Sequence, residues 1–536
     1  MTILDAKELQ IRELKDALSE SRKLNTFLQK SLEESNANSK HLSEQVSLLS
    51  EQVAYLTQKL FGTSSEKQTI DKSDGQLSFF DEAEATADPN VPDPLSEEEI
   101  EGYARKKRRS RQELLAGLPV RQIIAEILPE ERFCDLCGTE LKEIGREVVR
   151  RELEFIPAKL CVIEHVSVHY ACPKCKDTEE PFFLKAPTPA PLMKHSLASP
   201  STVAWLWYQK YANGLPFYRQ EKLEQNGLEL QRSTMANWTI HCSGKYLKPV
   251  YDYFHKQLIK RKFLMADETR VQVLKEDGRS AQSDSFMWLY RTGEDGLAPI
   301  IMYEYQPSRA GANASNFLKG FQGYLSCDGY AGYNKVIGII RCSCWAHVRR
   351  YFKDAIPAGH EQDFSLPAVQ GVEYCFKLFK YKETFQKKGY NYDQRKAARL
   401  EKEKPLLEAF WSWLETVPFV KNSRLDKAIQ YTKNRKSYLE TYLEDGHCSF
   451  SNNLSEQLMK AFATGRKNWL FHDTPQGAES SAIIYSVVET ARASGLNIYK
   501  YLTFLLMYMP DTDPSDEEDM DWMMPWGEGA IHNCKN

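Results

Sequence analysis

The chain has 536 residues, 42% hydrophobic and 27% charged, with 70 Lys+Arg against 74 Asp+Glu and a formal net charge of -4. That length suits three or four domains with at least one large core, which excludes a disordered chain, while twelve scattered cysteines exclude a small disulfide scaffold. The longest mostly apolar run, Tyr501–Met509, falls far short of the ~20 residues that span a bilayer. The polar N-terminus is no signal peptide, so no membrane partner and a cytoplasmic location are expected.

Residues 11–60 carry an apolar heptad pattern. Its a and d positions are Ile11, Leu14, Leu18, Ser21, Asn25, Leu28, Leu32, Ser35, Ser39, Leu42, Val46, Leu49, Val53, Leu56 and Leu60, eleven of fifteen apolar. So narrow a stripe predicts a coiled coil over 1–61 and a homo-oligomer through 11–60. The alternative is one long helix packed on its own chain. Residues 62–114 read as a linker, with nine acidic residues and no Lys or Arg from Asp81 to Glu101. Six of the seven residues from Arg105 to Arg111 are basic, which suits phosphate contacts or equally a solvated linker end.

A small module is expected over 115–190. Cys134 and Cys137, then Cys172 and Cys175, are two Cys-x-x-Cys pairs flanking a stretch that alternates like two strands. Four thiolates brought together by a hairpin make a tetrahedral structural zinc site. Residues 191–255 read as helical. A Gly227 turn followed by Ser233 and Thr234 as a helix cap gives a helix-turn-helix-like, DNA-binding region.

From residue 260 the pattern turns to strands. Apolar runs begin at Phe263, Val271, Phe286, Ile300, Tyr324 and Ile339, predicting a mixed sheet with helices on its faces. Two of these runs close on acids, at Asp267 and Asp328, and Glu456 opens a helix. Three carboxylates converging from those places would hold two divalent cations, the arrangement that cuts and joins phosphodiesters. Magnesium suits such oxygen ligands, with Mn2+ as a substitute. Glu268 is the neighbouring decoy, expected on the opposite face of its strand. Helical signals dominate 345–445, where Trp411 and Trp413 read as core.

Several segments together resemble the transposases of the insertion-sequence sixty-six family, over nearly the whole chain. Lys59-Leu60-Phe61-Gly62 with Ser65-Glu66-Lys67 resembles its N-terminal signature, and the four-cysteine module its zinc-binding domain. Ala266-Asp267-Glu268-Thr269, Cys327-Asp328-Gly329-Tyr330 and Asn452-Asn453-Leu454-Ser455-Glu456 are similar to its three catalytic blocks. Cys344-Trp345-Ala346-His347-Val348-Arg349-Arg350 resembles the helix start after the second block. The resemblance implies a multi-domain α+β protein whose RNase H-like α/β catalytic core, 256–352 with 450–474, carries a helical insertion at 353–449. A C-terminal helical segment at 475–510 and an acidic tail at 511–536 complete it.

The implied activity is that of a DDE transposase: cleavage of insertion-sequence ends and joining of the 3′-hydroxyl to target DNA. The implied partners are terminal inverted repeats, target DNA and small accessory proteins of the same element. Gln457 stands where the family often has Arg, so Lys460, Arg466 and Lys467 become the candidate phosphate contacts. His347, Arg349 and Arg350 are candidates beside Asp328, with a purely structural polar role as the alternative for His347. Cys342, Cys344 and His347 also suggest a second zinc site, but no fourth ligand lies near in sequence. An inactive zipper and zinc DNA-binding regulator, or a nuclease of the same fold, are the rival functions.

Overall fold

A computed structural model describes residues 3–61, 161–171, 183–185, 190–221 and 230–535. Helix α1 runs unbroken from Ile3 to Phe61. Its seam residues Leu18, Leu28, Leu32, Leu42, Val46 and Leu49 are all exposed on the single chain. Cys134, Cys137, Cys172 and Cys175 lie outside the described residues, as do the linker and the Gly227 turn. Next to the second cysteine pair in the chain, β1 (His169–Ala171) and β2 (Phe183–Lys185) form an antiparallel ribbon with Tyr170 opposite Leu184.

The centre of the fold is a mixed sheet of β3 (Phe263–Gln272), β4 (Asp284–Thr292), β5 (Ile301–Gln306), β6 (Gly323–Cys327) and β7 (Ile339–Ser343). Its order is β5-β4-β3-β6-β7. The first three strands form an antiparallel meander, and β6 and β7 then add in parallel to β3. This mixed order, with helices on both faces, is consistent with an RNase H-like core. The apolar run at Val271 predicts a strand of its own. Instead β3 runs straight through, because β4 pairs with it from Leu264 to Gln272.

One hydrophobic core joins the sheet to α2 (Pro200–Trp207), α3 (Arg232–Cys242) and α4 (Lys248–Leu258). The helix-turn-helix-like segment thus shares the core of the sheet through Trp207, Met235 and Trp238. Its expected Ser/Thr cap is not used. Gln231 precedes the first turn of α3, and the Arg232 amide donates to Glu221 Oε1 at 3.1 Å instead.

Further along, α5 (Gly311–Phe317) bridges β5 and β6, and α6 (Trp345–Asp354) leaves β7. The insertion then contributes α7 (Pro367–Lys387), α8 (Lys404–Thr416) and α9 (Arg424–Lys433). A second core joins them to α6 around Trp345, Phe352, Phe410 and Trp411. Trp413 is tied down through Nε1 to Gln370 Oε1 at 2.9 Å.

After α10 (Asn453–Trp469), the nearly all-buried α11 (Pro475–Ala493) lies along the edge strand β5. Its Ser486 and Thr490 hydroxyls accept from the Tyr303 and Ile301 amides at 2.8 and 3.0 Å. An edge that would otherwise offer free backbone groups is thereby closed.

Helix α12 (Ile498–Tyr508) follows, and then the acidic run expected to be a tail. That run forms α13 (Glu517–Met523) and α14 (Glu528–Cys534), with Met520, Met523, Met524 and Cys534 buried in the main core. Its acids gather at a helix N-terminus, which favours negative charge, while the methionines supply the apolar face. No described helix is long and apolar enough to cross a membrane.

Candidate active site

Parallel register brings the first two acids together. Met265 of β3 is opposite Ser326 of β6, and Asp267 and Asp328 follow at equal offsets. Asp267 was expected to end its strand. It lies mid-strand instead, opposite Leu289 of β4, and is open on its other edge because β6 stops at Cys327. Asp328 begins the loop beyond β6. Its Oδ1 accepts from the Tyr330 amide at 2.8 Å, a local turn that fixes the carboxylate. Two arginines hold the same loop by its backbone. Arg341 donates to the Asp328 carbonyl and Arg435 to the Gly329 carbonyl, each at 2.9 Å. A Cβ at Gly329 would meet the Arg435 guanidinium and displace that side chain from the loop.

Glu456 lies in the first turn of α10, which is strapped along β3 at both ends. At its N-terminus Asn452 is fully buried and donates from Nδ2 to the Ala266 carbonyl at 2.9 Å, one residue before Asp267. The Asn452 amide donates to Cys344 Sγ at 3.1 Å. At the C-terminus Arg466 donates to the Arg270 carbonyl, and the His472 amide to the Gln272 carbonyl at 2.9 Å. Both ends of the helix that carries Glu456 are therefore referenced to the strand that carries Asp267.

The three carboxylates form one electrostatic cluster. Burial pushes the Asp267 carboxyl up to about 8, and the charges of Glu268, Asp328 and Glu456 add to that push. The hydrogen bond its Oδ1 accepts from the Glu268 amide, at 2.9 Å, works against it. Glu268 takes a different set of partners. Its carboxylate accepts from Tyr333 Oη at 2.6 Å and Arg309 Nε at 2.8 Å. Arg309 also brings Nη2 to 3.7 Å from Asp328 Oδ2 and sits 4.2 Å over the Tyr330 ring.

The residues expected to touch phosphate divide into three groups. Arg350 and His347 reach Glu456, with Arg350 Nη2 at 3.1 Å from Oε2 and His347 Nε2 at 3.8 Å from Oε1. Burial holds His347 below the usual imidazole range. Arg349 turns the other way, 5.8 Å over Phe379 of the insertion, and Arg466 is engaged with β3. Lys460 and Lys467 are exposed on α10. Cys342, considered for a second zinc site, lies against Cys448 instead.

The acids fit a pair of divalent cations. Asp267 is partly buried among three other carboxylates, and Glu456 Oε1 is buried without a hydrogen-bond donor. The three do not close on a single point. Among the described residues, the group of three ligand atoms within 4.8 Å of one another is Cys344, His347 and Glu456. Ligands of two ions ~3.5–4 Å apart are spread more widely than those of one ion, and Asp267 is the member that feels both of the others.

Sequence reasoning missed Arg309, Arg341 and Arg435, whose partners are distant in the chain. Asn452 stood out only as part of a motif. The asparagine pair just before a helix-opening glutamate was the one available signal.

Known proteins resemble this chain along most of its length. A family model described as "Transposase IS66 family" matches residues 195–480, which include the sheet, the insertion and all three acids. The "zinc-finger binding domain of transposase IS66" matches 131–176, spanning all four cysteines of the expected zinc site. "Transposase C of IS166 homeodomain" matches 48–123. The chain is similar to uncharacterized protein y4jD of Sinorhizobium fredii, 28% identical over 90% of this chain and 95% of the relative. It is also similar to uncharacterized protein y4qI of the same organism, 27% identical over 91% and 90% of the two chains. With the family model covering more than half its length, the chain belongs to the IS66 family of DDE transposases.

Proposed function

We propose that the protein cleaves the ends of an insertion sequence and joins the freed 3′-hydroxyl to target DNA, with Asp267, Asp328 and Glu456 as the metal-binding carboxylates. The observation that carries this reading is geometric: parallel register sets Asp267 beside Asp328, and Asn452 ties the helix of Glu456 to the residue before Asp267. Two magnesium ions held there would activate the attacking oxygen and stabilise the leaving one. Asp267, from the centre of the sheet, would hold the ions together with Asp328 and Glu456. Asn452 holds the first turn of α10 against β3 and so sets the distance from Glu456 to Asp267. Arg309 and Arg350 balance the acids before DNA arrives, and both are exposed enough to meet phosphate.

The remaining parts fit DNA handling. Four thiolates in two Cys-x-x-Cys pairs suit one structural zinc ion, which would stabilise the small module at 115–190. The exposed apolar seam of α1 is covered by a second copy, pairing protomers as two transposon ends require. The test uses purified full-length protein, magnesium and labelled DNA carrying a transposon end beside target DNA. Strand cleavage and joined product are expected from the natural protein and neither from Asp267→Asn. Cleavage without joining would favour a nuclease, and binding without either would favour a regulator.

A further inference from the structure

We propose that Cys344, His347 and Glu456 form a transition-metal site for zinc or a similar borderline ion, separate from the magnesium pair but sharing Glu456 with it. Their ligand atoms lie within 4.8 Å of one another. Cys344 is the residue from which α6 starts, and His347 stands three residues on, one turn away on the same face. Glu456 approaches from the first turn of α10.

The site is built on backbone ties. The Asn452 amide reaches Cys344 Sγ at 3.1 Å, and the Trp345 amide donates to the Phe450 carbonyl at 3.3 Å. These bonds join the starts of the two helices that supply the ligands. The further ligand that Cys344 and His347 lack in their sequence neighbourhood thus has a counterpart in space, a carboxylate more than a hundred residues on.

The donor set decides which ion. One sulfur, one imidazole nitrogen and one carboxylate oxygen suit zinc, whereas magnesium takes oxygen ligands. Zinc bonds of ~2.0–2.3 Å place tetrahedral ligands roughly 3.3–3.8 Å apart. His347 Nε2 and Glu456 Oε1 are already 3.8 Å apart, so only a small closure of the cluster is needed. Three protein ligands leave a fourth position open to water.

Glu456 cannot serve both sites fully. An ion held by Cys344 and His347 draws the carboxylate toward α6 and away from Asp267, so zinc inhibits the magnesium reaction. The binding stands on the cluster alone. The inhibition also rests on the triad reading, and the two are measured separately.

Full-length protein is dialysed against buffered zinc in excess magnesium, and bound zinc is counted by elemental analysis for the natural chain, Cys344→Ser and His347→Gln. The expected result is about one zinc fewer per chain in both variants, the zinc module remaining filled in each. In the end-cleavage assay, with each protein referred to its own activity in magnesium alone, zinc inhibition is expected to weaken roughly tenfold or more in Cys344→Ser. Equal zinc counts in all three proteins, each folded by circular dichroism, would overturn the site. Lower counts with unchanged inhibition would overturn the sharing of Glu456 while leaving the site in place.

Discussion

The aspartates and the glutamate reach the same cluster by different means. Asp267 lies on β3 and Asp328 is the first residue after β6, so the register of two adjacent parallel strands sets them side by side. Glu456 arrives after the helical insertion and is placed by side chains: Asn452 on Ala266, Arg466 on Arg270, and Arg350 with His347 on the carboxylate itself. Register shifts only if the sheet reorganises. A position made by side chains shifts with one substitution or one ion. The aspartate side is therefore the rigid half of the site, and the glutamate side is the adjustable half.

The largest effect should come from the rigid half. Asp267→Asn is expected to lower magnesium-dependent end cleavage by roughly 10³-fold or more with the fold intact, as read by cleavage assay beside circular dichroism. A milder and different outcome is expected on the adjustable half. Asn452→Ala leaves the Ala266 carbonyl without its donor, so unfolding should become easier by ~1–3 kcal/mol, measured by denaturant titration. Magnesium affinity should also fall by about 10–100-fold, because the strap that sets Glu456 is lost.

A third test compares the halves by proton. Metal-free Asp267 holds its proton up to about pH 8, and a protonated carboxyl does not bind a cation. Magnesium affinity should therefore rise with pH toward about 8 and level off above it. Titration calorimetry in two buffers should read close to one proton released at pH 7 and almost none at pH 9, about the limit set by a single group. The smallest effect is expected for Arg350→Ala. Its ion pair with Glu456 is half exposed, so stability should move by less than about 1 kcal/mol.

The contrast also explains what could be read in advance. The strands that carry Asp267 and Asp328 are short apolar runs, and their acids stand at the ends of those runs, a signal local to each segment. The continuation of β3 beyond Asp267 was not legible, because it depends on β4 pairing alongside. Arg309, Arg341 and Arg435 act on partners that topology alone brings close, and a single arginine in a polar stretch carries no mark of that. The acidic run near the C-terminus misled for a related reason. Charge density suggested a tail, while the spacing of Met520, Met523 and Met524, which decides burial, was the weaker pattern. The four cysteines of the expected zinc module are the opposite case, since two Cys-x-x-Cys pairs stand out by spacing alone and a zinc-finger family model matches across them.

If Asp267, Asp328 and Glu456 share one pair of divalent ions, manganese in place of magnesium reads it directly by electron paramagnetic resonance on the full-length protein. Two manganese ions per site are expected, with the magnetic coupling of a pair ~3.5–4 Å apart, lost in Asp267→Asn. Isolated, uncoupled manganese in the natural protein, or a coupled pair that survives in Asp267→Asn, would contradict it.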